Sequence, residues 1–552
     1  MSLKHLLHRT SKRGWTKIGP AVSYAAFQFR EKRKYSKWVK KYGTLDVVDR
    51  ESLSSAAKAF VYQPLISIVL PVYDVEERWL RLCIDSVLSQ IYANWQLCIA
   101  DDCSPSKHVR RVLDDYAQGD ERIKIVYRPV NGHISAASNS ALELAEGEFT
   151  ILLDHDDELT ADALYRIVEE LNNDREADLI YSDEDKIDEQ GRRSEPKFKP
   201  DWSRDLFYSL NLVTHLSCFR TDILRKIGGF RERLEGSQDY DLVLRFIEQI
   251  PDSRIRHIPS VLYHWRAIRG SVALSGDEKP YAHERARTAL REHFERTNID
   301  ARVEPAFQNM HRVRYALPEK LPRVSVFVFG SSDMISHRAL GTDYENCEFI
   351  SVGVAASELN CAAAGSDGEV LCFVRGGLVP ENADWLRELV SYAIQPGIGA
   401  VGALVLNKDR TVQHAGTVLN SESGTISAHH RYPSDATGNL SRLRLTGNFS
   451  AVSVSCMAVS RDKFEQAGGF DGENFGNSLF DADLCLKLLL AGLRNVFTPY
   501  ASLISTEESR WAPATSSAEL QRFKEKWAAL VKRDPFYNPN LSATDGRFSI
   551  RT

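Results

Sequence analysis

From Pro64 onward the apolar positions switch between two periods. Ile66-Ser67-Ile68-Val69-Leu70 is a near-continuous apolar run ending at Pro71, the mark of a buried strand. Leu80, Cys83, Ile84, Val87 and Leu88 then recur at helical spacing. Trp95 to Ala100 predicts a second strand, closing on Asp101-Asp102, followed by a helix with Val109, Val112, Leu113 and Tyr116 inward. Ile123 to Tyr127 and Phe149 to Leu153 predict two more strands, with another helix between them, and the last strand runs into Asp154. This βαβαβ order predicts a mainly parallel sheet covered by helices on both faces. In such sheets ligands bind beyond the carboxyl ends of the strands. Pro71-Val72-Tyr73, Asp101-Asp102 and Asp154-His155-Asp156-Asp157 all fall there, so three polar clusters are expected to converge on one edge.

The pattern then repeats. Pro322-Arg323-Val324-Ser325-Val326 echoes Pro64-Leu65-Ile66-Ser67-Ile68, and Gly368-Glu369 before an apolar run echoes Gly147-Glu148. Gly468-Gly469-Phe470 matches Gly228-Gly229-Phe230, and Asp481-Ala482-Asp483-Leu484 matches Asp239-Tyr240-Asp241-Leu242. The second copy is shorter where the first two polar clusters arise: Ser67 to Gly147 spans 80 positions, Ser325 to Gly368 only 43. Aligning the Gly-Glu pairs puts Arg375 opposite Asp154 and Gly377 opposite Asp156, and neither can hold a divalent cation. A chain of 552 residues exceeds one ordinary core. The expected division is a segment over 1–60, a working domain over 61–310 and a degenerate, inactive copy over 320–535.

Composition narrows the class. With 43% hydrophobic and 26% charged residues the chain is a globular protein, and a net charge of -5 argues against a nucleic-acid partner. Nine scattered cysteines without a C-x-x-C pair suit free thiols in a reducing cytoplasm. The average hides a basic start: twelve Lys or Arg against Glu31 alone between Met1 and Leu45, interleaved with aromatics. Leu3, Leu6 and Leu7, then Val22, Ala25, Ala26 and Phe29, fall at helical spacing, with Gly19-Pro20 expected to separate the two stretches. Such a segment either lies on an anionic membrane surface or packs as an arm on the protein body.

The clusters suggest chemistry, each beside a plainer reading. Asp154 and Asp156, directly after a strand, can hold Mg²⁺ or Mn²⁺ together with phosphates; the same turn could merely cap a helix through Asp157 or Thr160. Asp101 and Asp102 can accept from a pyrimidine N–H or ribose hydroxyls, or cap the next helix with Ser104. Asp239 lies in the glycine-containing turn Gly236-Ser237-Gln238-Asp239, where it can act as general base, while Asp241 suits a helix N-terminus. A lone histidine such as His264 is more often a satisfied buried residue than a ligand.

Taken together these segments resemble the family 2 glycosyltransferases of the GT-A fold, within the bacterial subgroup that builds O-antigen and related surface polysaccharide. The resemblance is carried by PLISIVLPVYD (64–74), WQLCIADDCS (95–104), NGHISAASNSAL (131–142), LLDHDDEL (152–159), YSDEDKID (181–188), EGSQDYDLVLR (235–245) and IPSVLYHWR (258–266). It implies an α/β protein of two Rossmann-like GT-A domains behind a short basic helical segment. It implies a nucleotide-diphosphate sugar donor, UDP- or dTDP-linked, held by Pro71, Val72, Tyr73, Asp101, Asp102 and Asp154, with Asn131, His133 and Asn139 beside the donor. Asp154, Asp156 and His264 would hold Mn²⁺ or Mg²⁺. Gln238 and Asp239 would stand on the acceptor side, Asp239 as the base of an inverting transfer to a glycan, lipid-linked or otherwise. Asp74 departs from the Asn frequent after Val-Tyr. The second copy retains QHAGTVL (413–419) and FDADLCLKL (480–488), but Ser505 is expected where a histidine would follow Leu503-Ile504. A non-catalytic glycan- or lipid-carrier-binding scaffold and a protein (flagellin-type) glycosyltransferase stand as alternatives. The expected place is the cytoplasm, with residues 1–45 a candidate contact to the inner face of the membrane.

Overall fold

The computed structural model describes residues 15–268, 280–330, 340–476, 478–506 and 515–552. They divide into two compact units: Lys32–Trp202 with Asn211–Ile299 and the terminal Thr552, and 15–31 with Ser203–Leu210 and the described residues of Asp300–Arg551. Both are mixed α/β.

In the first unit β1 (Ile66–Val72), β2 (Trp95–Asp101), β3 (Ile123–Tyr127) and β4 (Phe149–Leu152) run parallel in the order β3-β2-β1-β4. The sheet continues through β5 (Glu158–Leu159), β6 (Leu179–Ile187), β7 (Arg193–Lys197), β8 (Ser217–Arg220) and β9 (Ile255–Arg266). There β8 is antiparallel to both β4 and β6, so the sheet is parallel on one side and mixed on the other. Along the chain up to residue 296 the helices are α1 (Trp15–Tyr42), α2 (Val47–Ala59), α3 (Glu77–Leu88), α4 (Lys107–Gly119), α5 (His133–Glu143), α6 (Ala163–Asn173), α7 (Arg204–Ser209), α8 (Thr221–Lys226), α9 (Gln238–Ile247) and α10 (Pro280–Arg296), of which α7 and residues 15–31 of α1 belong to the second unit. Of the predicted stripe on α3, Leu80, Cys83, Ile84 and Val87 are fully buried while Leu88 at the helix end is exposed; Val109, Val112 and Leu113 of α4 are fully buried and Tyr116 is partly so. Each large aliphatic side chain so buried contributes about 1.5–3 kcal/mol.

The start of the chain departs from expectation. Helix α1 runs unbroken through Gly19-Pro20. Within the first unit Tyr35 and Trp38 are buried, and Trp38 packs edge-on to Phe198 at 5.2 Å. These aromatics therefore serve an arm on the protein body and are withdrawn from any membrane surface. Within the second unit Tyr24 packs on Tyr432 at 4.7 Å, and Glu31 accepts from the Ser549 hydroxyl at 2.8 Å. Leu3, Leu6, Leu7, Lys4, Arg9, Lys12 and Arg13 lie outside the described residues. Among the described residues no helix is long and apolar enough to cross a membrane.

The repeat is visible as shared register. Ile66 pairs with Phe149 in the first unit as Val324 pairs with Val370 in the second. The Gly147 amide donates to Ser67 Oγ at 2.8 Å, and Gly368 does the same to Ser325 at 3.0 Å. A Cβ at either glycine would sit 2.6 Å or less from Ser67 or Ser325, which explains why both copies need glycine there. The second sheet runs 347–352, 324–329, 370–375, 456–460, 398–406, 494–505, 378–380 in spatial order. It has one strand outside its central parallel strand where the first has two, so the shorter spacing in the second copy removes a strand.

A second shared device gives Asn139 a structural role. The Asn139 side chain, expected beside a donor, both donates to the Phe230 carbonyl and accepts from the Phe230 amide, each at 2.8 Å. Asn360 repeats this bridge with Phe470 at 2.8 and 3.0 Å. Asn139 therefore pins the Gly-Gly-Phe turn to α5. Asn139→Ala is expected to cost about 1–3 kcal/mol by orphaning two backbone groups. Urea titration followed by tryptophan fluorescence should show the loss, Asn360→Ala should show a similar one, and unchanged midpoints would contradict the bridge's role.

Candidate functional site

The three polar clusters do converge at the carboxyl edge of the first sheet. The Asp102 amide donates to the Val72 carbonyl at 2.8 Å, and the Leu153 amide to Val69 at 3.1 Å, so the strand ends are stitched together. The Tyr73 amide reaches His155 Nδ1 at 3.4 Å, and the Asp74 amide donates to Ser104 Oγ at 2.9 Å. Pro71 and Val72 close β1, and Tyr73 is half exposed beyond them.

Asp101 and Asp102 are both buried. Asp101 accepts from the Ser104 amide at 3.2 Å, as a cap would. Asp102 accepts from Arg128 Nε at 2.8 Å and from the Gly132 amide at 2.9 Å, which fixes the loop leading into α5. Asn131 Oδ1 in that loop accepts from the His133 amide at 3.1 Å, and His133 adopts φ 65°. Arg128 was not singled out in the sequence, although its place just after β3 gives it the same strand-end position.

The acidic turn after β4 is built around Asp157. This carboxyl is fully buried, accepts from the Tyr263 hydroxyl at 2.6 Å and from the Arg266 amide at 2.7 Å. Burial, then the neighbouring Asp156 and Asp154, push it well above the usual carboxylate range. It caps no helix: α6 begins after Asp162, which receives the Thr160 hydroxyl at 2.8 Å. Arg266 Nε donates to the Asp156 carbonyl at 2.8 Å, and its guanidinium also pairs with Glu158. The Asp154 amide approaches the Tyr263 hydroxyl at 3.3 Å.

Asp154, Asp157 and His215 each bring one ligand atom within 4.8 Å of the others. Among the described residues no other group of three acids, histidines or cysteines does so. Two carboxylates and an imidazole suit Mg²⁺, Mn²⁺ or Zn²⁺ by donor type, with the oxygen-rich share favouring the harder ions. Burial holds the His215 imidazole down to about 4, against the pull of Glu184, which leaves it neutral and able to ligate at pH 7. Its ring stacks on Tyr263 at 4.5 Å and 11°. Below it Glu184 is buried between Lys197 at 2.5 Å and Lys199 at 3.2 Å and also accepts from the His215 amide at 3.1 Å. Burial alone would raise this carboxyl; the two lysines outweigh it and hold it well below the usual range.

Two expected metal ligands stand outside that group. Asp156 belongs to the same turn, but its side chain is not within the three-residue cluster. His264 Nδ1 is held by Asp185 at 2.5 Å, and Asp185 is locked in turn by Arg193 at 2.6 Å and by the Tyr35 hydroxyl. Tyr263 and His264 are successive strand residues whose side chains face opposite sides, and His215 stacks on Tyr263. That alternation separates His264 from the cluster.

Asp239 begins α9, partly buried, and accepts from Asn211 Nδ2 at 2.9 Å. Burial raises its carboxyl above the usual value, with hydrogen bonds opposing. Gln238 Oε1 accepts from the Gly236 amide at 2.6 Å, closing the turn before it. Asp241 is fully buried and held by Arg245 at 2.9 Å and by Arg231, so it is an ion-pair centre. In the second copy Arg375, Leu378 and Ser455 stand at the positions of Asp154, Asp157 and His215, by the shared register of the strands. The same register sets Ile504, not Ser505, opposite His264, since Glu158 faces His264 and Val379 faces Ile504.

The family model for glycosyl transferase family 2 matches residues 67–228. The chain is 39% identical over 545 residues to the uncharacterized protein y4gI of Sinorhizobium fredii, covering 90% of this chain and 60% of that one. It is 33% identical over 521 residues to the O-antigen biosynthesis protein RfbC of Myxococcus xanthus, covering 87% and 40% respectively. The chain thus spans less than two thirds of the length of either relative. A solved structure of Staphylococcus aureus TarS 1-349 with UDP-GlcNAc aligns over 42% of this chain and 74% of that one, at 18% identity and TM-score 0.33. With its strand-end acids and its matched segment together, this chain carries a family 2 glycosyl transferase domain over residues 67–228.

Proposed function

We propose that the first unit transfers a sugar from a nucleotide-diphosphate donor to a polysaccharide acceptor of the O-antigen type, with inversion at the anomeric carbon. The observation that carries this reading is the pairing of an oxygen-rich cation cluster with a separate, partly buried carboxylate, Asp239, that lies within electrostatic reach of Glu184, the partner of the His215 amide. The family match and the likeness to RfbC support the reaction class and the polysaccharide setting.

In this reading Pro71, Val72, Tyr73, Asp101 and Asp102 frame the nucleoside, with Asn131 and His133 shaping the adjacent loop. Asp154, Asp157 and His215 hold the divalent cation, Mn²⁺ or Mg²⁺, and Asp156 faces the diphosphate from the same turn. The bound cation would neutralise charge on the departing diphosphate. Tyr263 and Arg266 keep the acidic turn in place before any ligand arrives. Asp239 takes the proton from the acceptor hydroxyl as that oxygen attacks, and Asn211 orients its carboxylate. Gln238 stabilises the turn that presents the base. The second unit, without the acids, catalyses no transfer.

Removing the base should separate binding from turnover. Asp239→Asn is expected to lower transfer by roughly 100-fold or more while UDP binding in Mn²⁺ stays within about threefold. Undiminished transfer, in a radiolabelled nucleotide-sugar assay, would remove Asp239 from this role. Because its carboxyl is raised by burial and must be deprotonated to act, the acid limb of kcat/KM should lie above the usual aspartate range and rise with pH. A rate already flat down to pH 4 would speak against it. His215→Ala should abolish the Mn²⁺-dependent thermal stabilisation by UDP-sugars; a shift equal to that of the unaltered protein would take His215 out of the cation site.

A further inference from the structure

In the second unit a strand pair carries an arrangement that opposes its own folding and that the transfer chemistry does not use. Ala301–Pro305 and His311–Tyr315 run antiparallel, with Val303 opposite Val313 and Arg302 opposite Arg314. Val303 and Val313 are buried, so alternation sets the two arginines together on the other face of the pair. Like charges directly opposite one another are destabilising. Both arginines nevertheless line a cavity of about 440 Å³, together with Arg387 and Ser391 of the helix Trp385–Ala393. That volume falls in the range of pockets that take small molecules.

The positive charge here is not satisfied internally. Among the described residues the exposed Arg302 guanidinium has neither a hydrogen bond nor an ion pair. Arg314 approaches Glu304 at 3.9 Å and Asp384 at 3.7 Å, both beyond hydrogen-bond range. Arg387 leans on Asp343, its Nη2 donating to the Asp343 carbonyl at 3.2 Å, and its Nη1 is left uncommitted. Glu388, also on the cavity wall, is buried and engaged at both oxygens, by Arg312 at 2.7 Å and by the Thr498 hydroxyl at 2.8 Å. It is therefore withdrawn from the chemistry of the cavity. The remaining wall includes the apolar Leu317, Pro318 and Leu321. Two arginines on an open surface would simply be hydrated. These share a concavity with a third guanidinium and with apolar side chains, where several donors can close on one anion at once.

We propose that this cavity binds a sugar bearing an anionic group, Arg302 and Arg314 gripping the anion and the Leu317–Leu321 wall receiving the ring. A guanidinium offers planar paired donors that match two oxygens of a carboxylate or phosphate. Two guanidiniums opposite each other across a strand pair can share one such group, and the anion relieves the repulsion between them. Arg387 Nη1 can donate to a ring hydroxyl, and Ser391 Oγ, which itself donates to the Glu388 carbonyl at 2.8 Å, can accept from one. The anion site stands on the cavity alone; the sugar that carries the anion rests on the transferase reading. The second unit is thereby a binding module for an acidic sugar residue, a uronic acid or a sugar phosphate.

The test is isothermal titration of the full chain, in EDTA at low salt, with D-glucuronate, D-glucose 1-phosphate, D-glucose and inorganic phosphate. At least one acidic sugar is expected to bind fivefold or more tightly than D-glucose, and to weaken at least fivefold in Arg302→Gln and in Arg314→Gln. Arg302→Lys should fall between, because it keeps the charge and loses the planar fork. Glucuronate binding identifies the anion as a carboxylate and glucose 1-phosphate binding as a phosphate, and either supports the site. No binding of either acidic sugar, equal binding of D-glucose, inorganic phosphate binding as tightly as the sugars, or unchanged affinity in either glutamine variant would overturn the proposal. Without ligand each glutamine variant should melt no lower than the unaltered protein, since it removes a like-charge pair; a lower midpoint would make the arginines part of the fold and contradict the proposal. Asp154→Asn should bind unchanged, and loss there would place the ligand in the first unit and likewise overturn it. Turnover of Asp239→Asn tests the transferase reading separately, so failure of one is distinguishable from failure of the other.

Discussion

Three carboxyls within four residues repel one another, and the structure of the first unit depends on how that repulsion is contained. Asp157 is buried and tied by the Tyr263 hydroxyl and the Arg266 amide, while Arg266 also grips the Asp156 carbonyl. One strand, β9, thus contributes two residues, Tyr263 and Arg266, that hold the acidic turn. The same strand presents His264 to its other side, where Asp185, Arg193 and Tyr35 lock it. Alternation along β9 divides two buried polar networks: one at the cation cluster, one linking the sheet to α1. Each is satisfied by charge-assisted hydrogen bonds, the condition under which buried charges are tolerated.

The internal repeat separates what the fold needs from what the chemistry needs. Ser67 with Gly147 and Asn139 with Phe230 reappear as Ser325 with Gly368 and Asn360 with Phe470. These devices hold turns against helices and strands in both units. Asp154, Asp157, Glu184 and His215 do not reappear. A residue lost together with the acids serves the ligand, whereas retention alone does not mark architecture, because Asp239 reappears as Asp481. By that criterion Tyr263, whose counterpart is Leu503, belongs with the acids it supports.

Much of the fold was legible in the sequence because it rests on local periodicity. The parallel strands and the buried stripes of α3 and α4 followed from apolar spacing, and the ligand-binding edge followed from topology. Asp154 and Asp239 stood out in the sequence because one directly follows an apolar strand and the other lies in a glycine-containing turn. His215 was not, since it lies between Thr214 and Leu216 with no motif around it and reaches the acids only through the antiparallel β8. Asp157 resembled a helix cap because Thr160 follows at cap spacing, and only the fold reveals Tyr263 across from it. The bridge made by Asn139 was not legible either: its polar segment suggested a ligand loop, and only the fold brings Phe230 to its amide.

The central claim is that one chain holds one divalent cation, at the strand-end acids of its first unit. Titrating the full chain with Mn²⁺ and following the free ion by electron paramagnetic resonance counts such sites directly. The account predicts a single site per chain, filled more tightly with UDP present and abolished in Asp154→Ala, with Arg375→Gln unchanged. Two equivalent sites, or a single site that survives Asp154→Ala, would contradict it.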